Sequence, residues 1–205
     1  RLQKFLGQHG YSSLVIHNRG VGEGKHLSEG PYKSTILERV TDFESATTFL
    51  LSKRVSPNLF LIACSLNGET AALTALKLKD KLKAIALLEP AAYTPGTENI
   101  RLGTSEFTHA LRRQDLLPKE KTELQMQSPT FSALEQFAGP LFVAYGEIDE
   151  KIDKPIQSKY EQIVKQKGTA GEFLIVPGVK HTLTAHAPNG FYEKLVAFLD
   201  KQRTN

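Results

Sequence analysis

The chain has 205 residues, a formal net charge of +4, 40% hydrophobic residues and 23% charged ones, the proportions of an ordinary globular protein of one or at most two domains. The lysines are scattered and no long run of like charge appears, which argues against a nucleic-acid surface; no apolar stretch approaches the ~18 residues of a membrane span. The single cysteine, Cys64, excludes an intrachain disulfide and a cysteine-rich zinc site, and with no secretion signal opening the chain the expected location is cytoplasmic.

Taken in order, Leu2, Phe5 and Leu6 share one face of a helix over Arg1–His9, which Gly10 ends. Ser13–His17 reads as a buried strand that runs into the loop Asn18–Gly24. Gly20, Gly22 and Gly24 invite a nucleotide-binding reading, which fails on spacing. The pattern is G-x-G-x-G rather than G-x-G-x-x-G, and His26 rather than Ser or Thr follows Lys25. Ile36, Leu37, Val40, Phe43, Leu50 and Leu51 recur at helical spacing and predict an amphipathic helix over Thr35–Lys53, broken by Pro57 and Asn58. Leu59–Ala63 is a short apolar run followed by small residues and then a second helical pattern through Ala71, Ala72, Ala75 and Leu76. The next strand is Ala84–Leu88, ending at Glu89 and Pro90. Strands alternating with helices predict a parallel sheet with helical crossovers.

Residues 91–139 break that alternation. They hold Thr94-Pro95-Gly96-Thr97 and the charged side chains of Arg112, Arg113, Asp115, Lys119, Glu120 and Lys121. A structureless excursion of this length is uncommon in a compact domain, so helices are expected near Glu106–Leu117 and Thr130–Phe137. Alternation resumes with the strand Pro140–Tyr145, a helix over Pro155–Gln166, the strand Glu172–Val176, and a final helix carrying Phe191, Leu195, Val196, Phe198 and Leu199. Nothing in this order suggests an internal repeat.

The stretch Leu59–Ala72 organises the rest. Strand, tight turn with a central serine, helix: this is the arrangement of a nucleophile elbow, with Ser65 at its apex. The residues two before and two after such a serine must be small, or the strand and the helix collide. Here they are Ala63 and Asn67, with Gly68 just behind. Cys64 is a rival nucleophile, but its flanks would be the bulky Ile62 and Leu66, so it reads as a small buried apolar residue.

The elbow resembles that of the α/β-hydrolase family, whose pattern is G-x-S-x-G; both glycines are replaced here. Asn18-Arg19-Gly20-Val21-Gly22-Glu23-Gly24 also looks like that family's D-x-R-G-x-G-x-S segment, with Asn in place of the first acid. Gly146-Glu147-Ile148-Asp149 and Gly178-Val179-Lys180-His181 resemble its G-x-x-D and G-x-x-H segments, each following a strand. The resemblance runs from the first helix to the end of the chain. It implies a three-layer α/β sandwich: a mostly parallel sheet flanked by helices, one domain over residues 1–205, with a small helical lid at about 93–138. The family's first three strands have no counterpart here, so a further N-terminal segment is expected in the complete protein.

A serine hydroxyl needs a base within hydrogen-bond reach and a third group that orients the base. In this family the partners follow in the order Ser, acid, His. The resemblance therefore implies a triad of Ser65, Asp149 and His181, with the backbone N–H of Leu66 as one oxyanion donor. Glu89, Glu147 and Asp153 compete with Asp149 for the role of acid, and His186 competes with His181. The implied activity is hydrolysis of a small ester or thioester through an acyl-enzyme. The alternatives are a serine peptidase or acyltransferase on the same fold, and a non-catalytic binding protein. No metal or organic cofactor is implied, the expected partner is a small acyl substrate, and a homodimer is compatible with the resemblance.

Overall fold

Four apolar runs pair, all parallel, in the order β1 (Phe60–Cys64), β2 (Ala84–Leu88), β3 (Leu141–Gly146) and β4 (Gly171–Val176). A computed structural model describes residues 1–17, 19, 34–53, 56–181 and 183–203. Within these, nine α-helices surround the sheet: α1 (Leu2–Gln8), α2 (Ile36–Ser52), α3 (Asn67–Leu78), α4 (Ser105–Arg112), α5 (Pro118–Gln125), α6 (Pro129–Gln136), α7 (Lys154–Gln166), α8 (Leu183–His186) and α9 (Asn189–Arg203). No described helix is long and apolar enough to cross a membrane.

The central strands β2 and β3 are apolar and buried at every position because both faces of the sheet are covered there, while the edge strand β4 carries Glu172 and exposes Ile175. Side chains alternate between the two faces. Ile85, Leu87, Leu141, Val143 and Tyr145 join a core built with α3, α6 and α7. Ala84, Ala86, Leu88, Phe142 and Ala144 face the opposite core, built with α1, α8 and α9. The result is a three-layer α/β sandwich. Register is tight: Leu88 lies opposite both Cys64 and Ala144, and Gly146 opposite Val176, so all four strands end along one edge. Helix starts are chemically marked. Thr35 accepts from the Glu38 N–H at 3.1 Å while the Glu38 carboxylate accepts from the Thr35 N–H at 2.7 Å, a reciprocal capping box at the head of α2.

One expected element is not formed. Residues 13–17 make no strand; Leu14 and Val15 are 49% and 54% exposed, and only Ile16 packs on the core. An apolar β-branched sequence becomes a strand only when a neighbour accepts and donates along its length. Among the described residues β1 is the edge strand and pairs with β2 alone, and Ser13–His17 does not join it. Except for Arg19, the glycine-rich segment Asn18–Gly24 lies outside the described residues. Arg19 forms a forked ion pair with Asp42 of α2, with its Nη2 2.6 Å from Oδ1.

The excursion between β2 and β3 contains α4, α5 and α6. Its last helix is part of the main core rather than a cover over it: Phe131 and Leu134 are fully buried against the α3 side of the sheet. Both ends of the excursion converge on one carboxylate. Glu69, in the first turn of α3, is fully buried, and its Oε2 accepts from the Tyr93 N–H (2.9 Å), the Thr130 hydroxyl (3.0 Å) and the Ser128 hydroxyl (3.3 Å). Its Oε1 is buried with no partner among the described residues.

Burial dominates the Glu69 carboxyl and, against the three hydrogen bonds and aided by the charge of Glu98, lifts it from its ordinary 4.5 to about 7. The folded chain therefore keeps a proton that the unfolded chain releases near pH 4.5. Stability owed to this proton is complete below that value and is lost as pH rises through about 7, a swing of about 3 kcal/mol. Glu69→Gln, which keeps an acceptor and cannot ionise, removes the swing. Thermal unfolding from pH 4.5 to 8 should show the midpoint of the wild type falling by roughly 6–12 °C relative to Glu69→Gln. Parallel pH curves for the two proteins would contradict the clamp.

Candidate active site

The turn after β1 is built around a disfavoured backbone angle. Ser65 has φ of 52°, a left-handed conformation that non-glycine residues seldom adopt. Backbone bonds on both sides hold it there. The Ser65 N–H donates to Leu88 O at 3.0 Å, and Ser65 O accepts from the N–H groups of Gly68 (2.8 Å) and Ala91 (3.0 Å). The elbow is thus tied to its own helix and to the end of β2.

The position that demands glycine is Gly68, not Asn67. A Cβ on Gly68 would sit 2.5 Å from the Cβ of Pro90. Asn67 is tolerated because its side chain leaves the turn: its Oδ1 accepts from Nη1 of the buried Arg39 at 3.4 Å, and the Arg39 Nε donates to the Ser34 hydroxyl at 3.0 Å.

The other two loops are stitched to each other. At Gly146 a Cβ would lie 2.3 Å from Val179 O, so only a bare Cα lets the turn before His181 cross the end of β3. The Ile148 N–H donates to Val179 O at 3.0 Å, and Oε2 of Glu147 accepts from the Gly178 N–H at 2.9 Å. Glu147 is thereby committed to loop structure. Asp149 is buried, and its Oδ1 accepts from the N–H groups of Lys151 (2.8 Å) and Ile152 (3.3 Å). These bonds leave Oδ2 aimed at His181.

The three side chains meet. His181 Nε2 is 2.8 Å from Ser65 Oγ, and His181 Nδ1 is 2.9 Å from Asp149 Oδ2. The Asp149 side chain is fully buried while the imidazole is 18% exposed, so the relay runs from the interior to a wetter rim. An imidazole held this way can accept the serine proton and keep its positive charge next to a fixed carboxylate. Leu66 follows the serine at the N-terminus of α3.

The competing residues fall elsewhere. Asp153 stands at the head of α7, and His186 is exposed on α8. Cys64 turns towards the opposite core, with its Sγ 4.0 Å from the Thr184 hydroxyl; burial pushes the thiol above its ordinary range, which keeps it protonated and unreactive. Glu89 does reach the site. Glu89, Asp149 and His181 present ligand-type atoms within 4.8 Å of one another, the one cluster among the described residues with spacing suited to a cation. Both ring nitrogens of His181 are already hydrogen-bonded to Asp149 and Ser65, so the cluster is organised as a hydrogen-bonded chain rather than a metal cage. A surface groove of about 420 Å³ near Arg112, Arg113, Lys121 and Lys154 includes none of the relay residues.

No protein-family profile and no curated protein matches the sequence. Solved structures do match in shape. The monoacylglycerol lipase of Paleococcus ferrophilus superposes with a TM-score of 0.63 at 15% identity, over 98% of this chain and 88% of the lipase. A putative dipeptidyl aminopeptidase IV from Bacteroides ovatus gives 0.62 at 17% identity; 90% of this chain is covered, but it spans only 25% of that protein's length. Est1E from Butyrivibrio proteoclasticus gives 0.56 at 14% identity, over 84% of this chain and 73% of Est1E. With a parallel sheet whose β1, β3 and β4 ends carry the elbow serine, the carboxylate and the histidine, the chain has the α/β-hydrolase fold.

Proposed function

We propose that the chain is a serine hydrolase that cleaves a small ester or thioester through a covalent acyl-enzyme. The observation that carries this reading is the unbroken relay from Ser65 Oγ through His181 to the buried Asp149, with the serine presented on a left-handed turn. Strained backbone at a turn apex, maintained by surrounding hydrogen bonds, is characteristic of functional positions.

In the proposed cycle, Ser65 Oγ attacks the acyl carbon while His181 Nε2 takes its proton. The imidazolium that forms is stabilised by Asp149, which fixes the Nδ1–H tautomer. His181 then returns the proton to the departing alcohol or thiol. Water repeats the sequence in reverse and frees the acid. The backbone N–H of Leu66 is the proposed donor to the tetrahedral oxyanion: the first N–H groups of a helix have no partner within the helix, and the positive end of the α3 dipole favours negative charge there. The monoacylglycerol lipase among the structural neighbours supports an acyl substrate; the dipeptidyl aminopeptidase keeps amide substrates within the test.

Short p-nitrophenyl esters and a fluorophosphonate probe test the reading. The wild-type chain should be labelled at Ser65. Ser65→Ala and His181→Ala should each lower ester hydrolysis by about 10⁴-fold or more while leaving the thermal midpoint nearly unchanged. An unlabelled chain with no hydrolysis would reject the proposal.

Cys64 supplies a control. Cys64→Ala should keep full phosphonate labelling, and iodoacetamide should modify the wild-type thiol slowly. Labelling lost with Cys64→Ala but kept with Ser65→Ala would assign the nucleophile to the cysteine instead.

A further inference from the structure

Two non-glycine residues hold left-handed backbone angles at successive strand ends: Ser65 after β1 and Glu89 after β2, each with φ of 52°. The strain at Ser65 has a reason in the elbow. Glu89 has none from the chain's path alone, and its conformation is doubly unfavourable because it precedes Pro90, where extended angles are preferred. The strand end is nonetheless firmly held there. The Glu89 N–H donates to Ala144 O at 2.7 Å, and the Tyr145 hydroxyl donates to Pro90 O at 2.8 Å. What this geometry achieves is to place a 1%-exposed carboxylate beneath the relay.

That carboxylate makes a specific contact. Its Oε2 accepts from the Leu183 N–H at 3.0 Å, two residues beyond His181, at the start of α8. The same side chain lies within 4.8 Å of ligand-type atoms of both His181 and Asp149. Two buried acids therefore flank one imidazole. Among the described residues, the Ser65 hydroxyl faces the imidazole, and the charges of both Glu89 and Asp149 also act on the Cys64 thiol behind the elbow and on the Tyr145 hydroxyl of β3.

We propose that Glu89 is a positioning residue for His181: it anchors the loop that carries the base through the Leu183 N–H, and it adds a second negative charge that stabilises the imidazolium formed during acyl transfer. The inference rests on the hydrolase reading above. It separates two roles within the carboxylate pair. Asp149 fixes the tautomer through Nδ1, and Glu89 fixes the loop and deepens the local potential.

Glu89→Gln keeps an oxygen for the Leu183 N–H and removes only the charge. The rate of fluorophosphonate labelling at Ser65 should be followed from pH 5 to 9 in the wild type and in this variant. With the second anion gone, the acidic limb should move to lower pH while the plateau falls about tenfold, with the thermal midpoint close to that of the wild type. A plateau loss with an unmoved limb would mean structural support alone and would overturn the proposal, as would superimposable profiles. A wild-type chain that is not labelled at all sinks the hydrolase reading and this inference with it; a labelled wild type with an unmoved limb in Glu89→Gln sinks the inference alone.

Discussion

Ser65 is held at a backbone angle that its side chain disfavours, and much of the molecule serves to hold it there. Such a conformation costs of order 1–3 kcal/mol and persists only where its surroundings determine it several times over. Here they do. The serine is bonded to the end of β2 through Leu88 and Ala91, and to its own helix through Gly68. Gly68 in turn lets α3 press against Pro90. The strained turn is thus tied into the sheet at several points, and its apex presents the hydroxyl to His181.

The second constraint is the parallel sheet itself. Because all four strands run the same way, their carboxyl ends open on one edge, and each contributes one group: Ser65, Glu89, Asp149 and His181 in strand order. Chain separations of 116 residues between Ser65 and His181 and 32 between His181 and Asp149 collapse to bonds under 3 Å. The loops that carry Asp149 and His181 are not independent. Gly146 lies under Val179, and Glu147 holds Gly178, so the two turns form one packed unit.

Much of this was legible in the residues. The apolar run before Ser65, the small residues around it, and the G-x-x-D and G-x-x-H segments after later strands carry local signals that follow from local geometry. The parts that were not legible depend on partners distant in the chain. Ser13–His17 has strand chemistry but pairs with no strand among the described residues. Asn67 looks too large for the elbow until Arg39, on a different helix, is seen to take its side chain aside. Glu69, four residues after the serine, drew no reading from the sequence, yet it is fully buried by residues from the far excursion. Glu89 reads as a rival to Asp149; in the fold the two stand together rather than as alternatives.

The clamp at Glu69 has a consequence for how such a chain can diversify. Tyr93 and Thr130 mark the two ends of the excursion, and both rest on the same carboxylate oxygen. The loop is therefore closed at its base, and what lies between, α4 and α5 with their polar surfaces, supplies no side chain to the relay. Lengthening a loop already closed at its base costs little, because closure entropy grows only with the logarithm of its length. Selection can thus rewrite the α4–α5 segment, in sequence and in size, while the strained serine and its two partners remain in place.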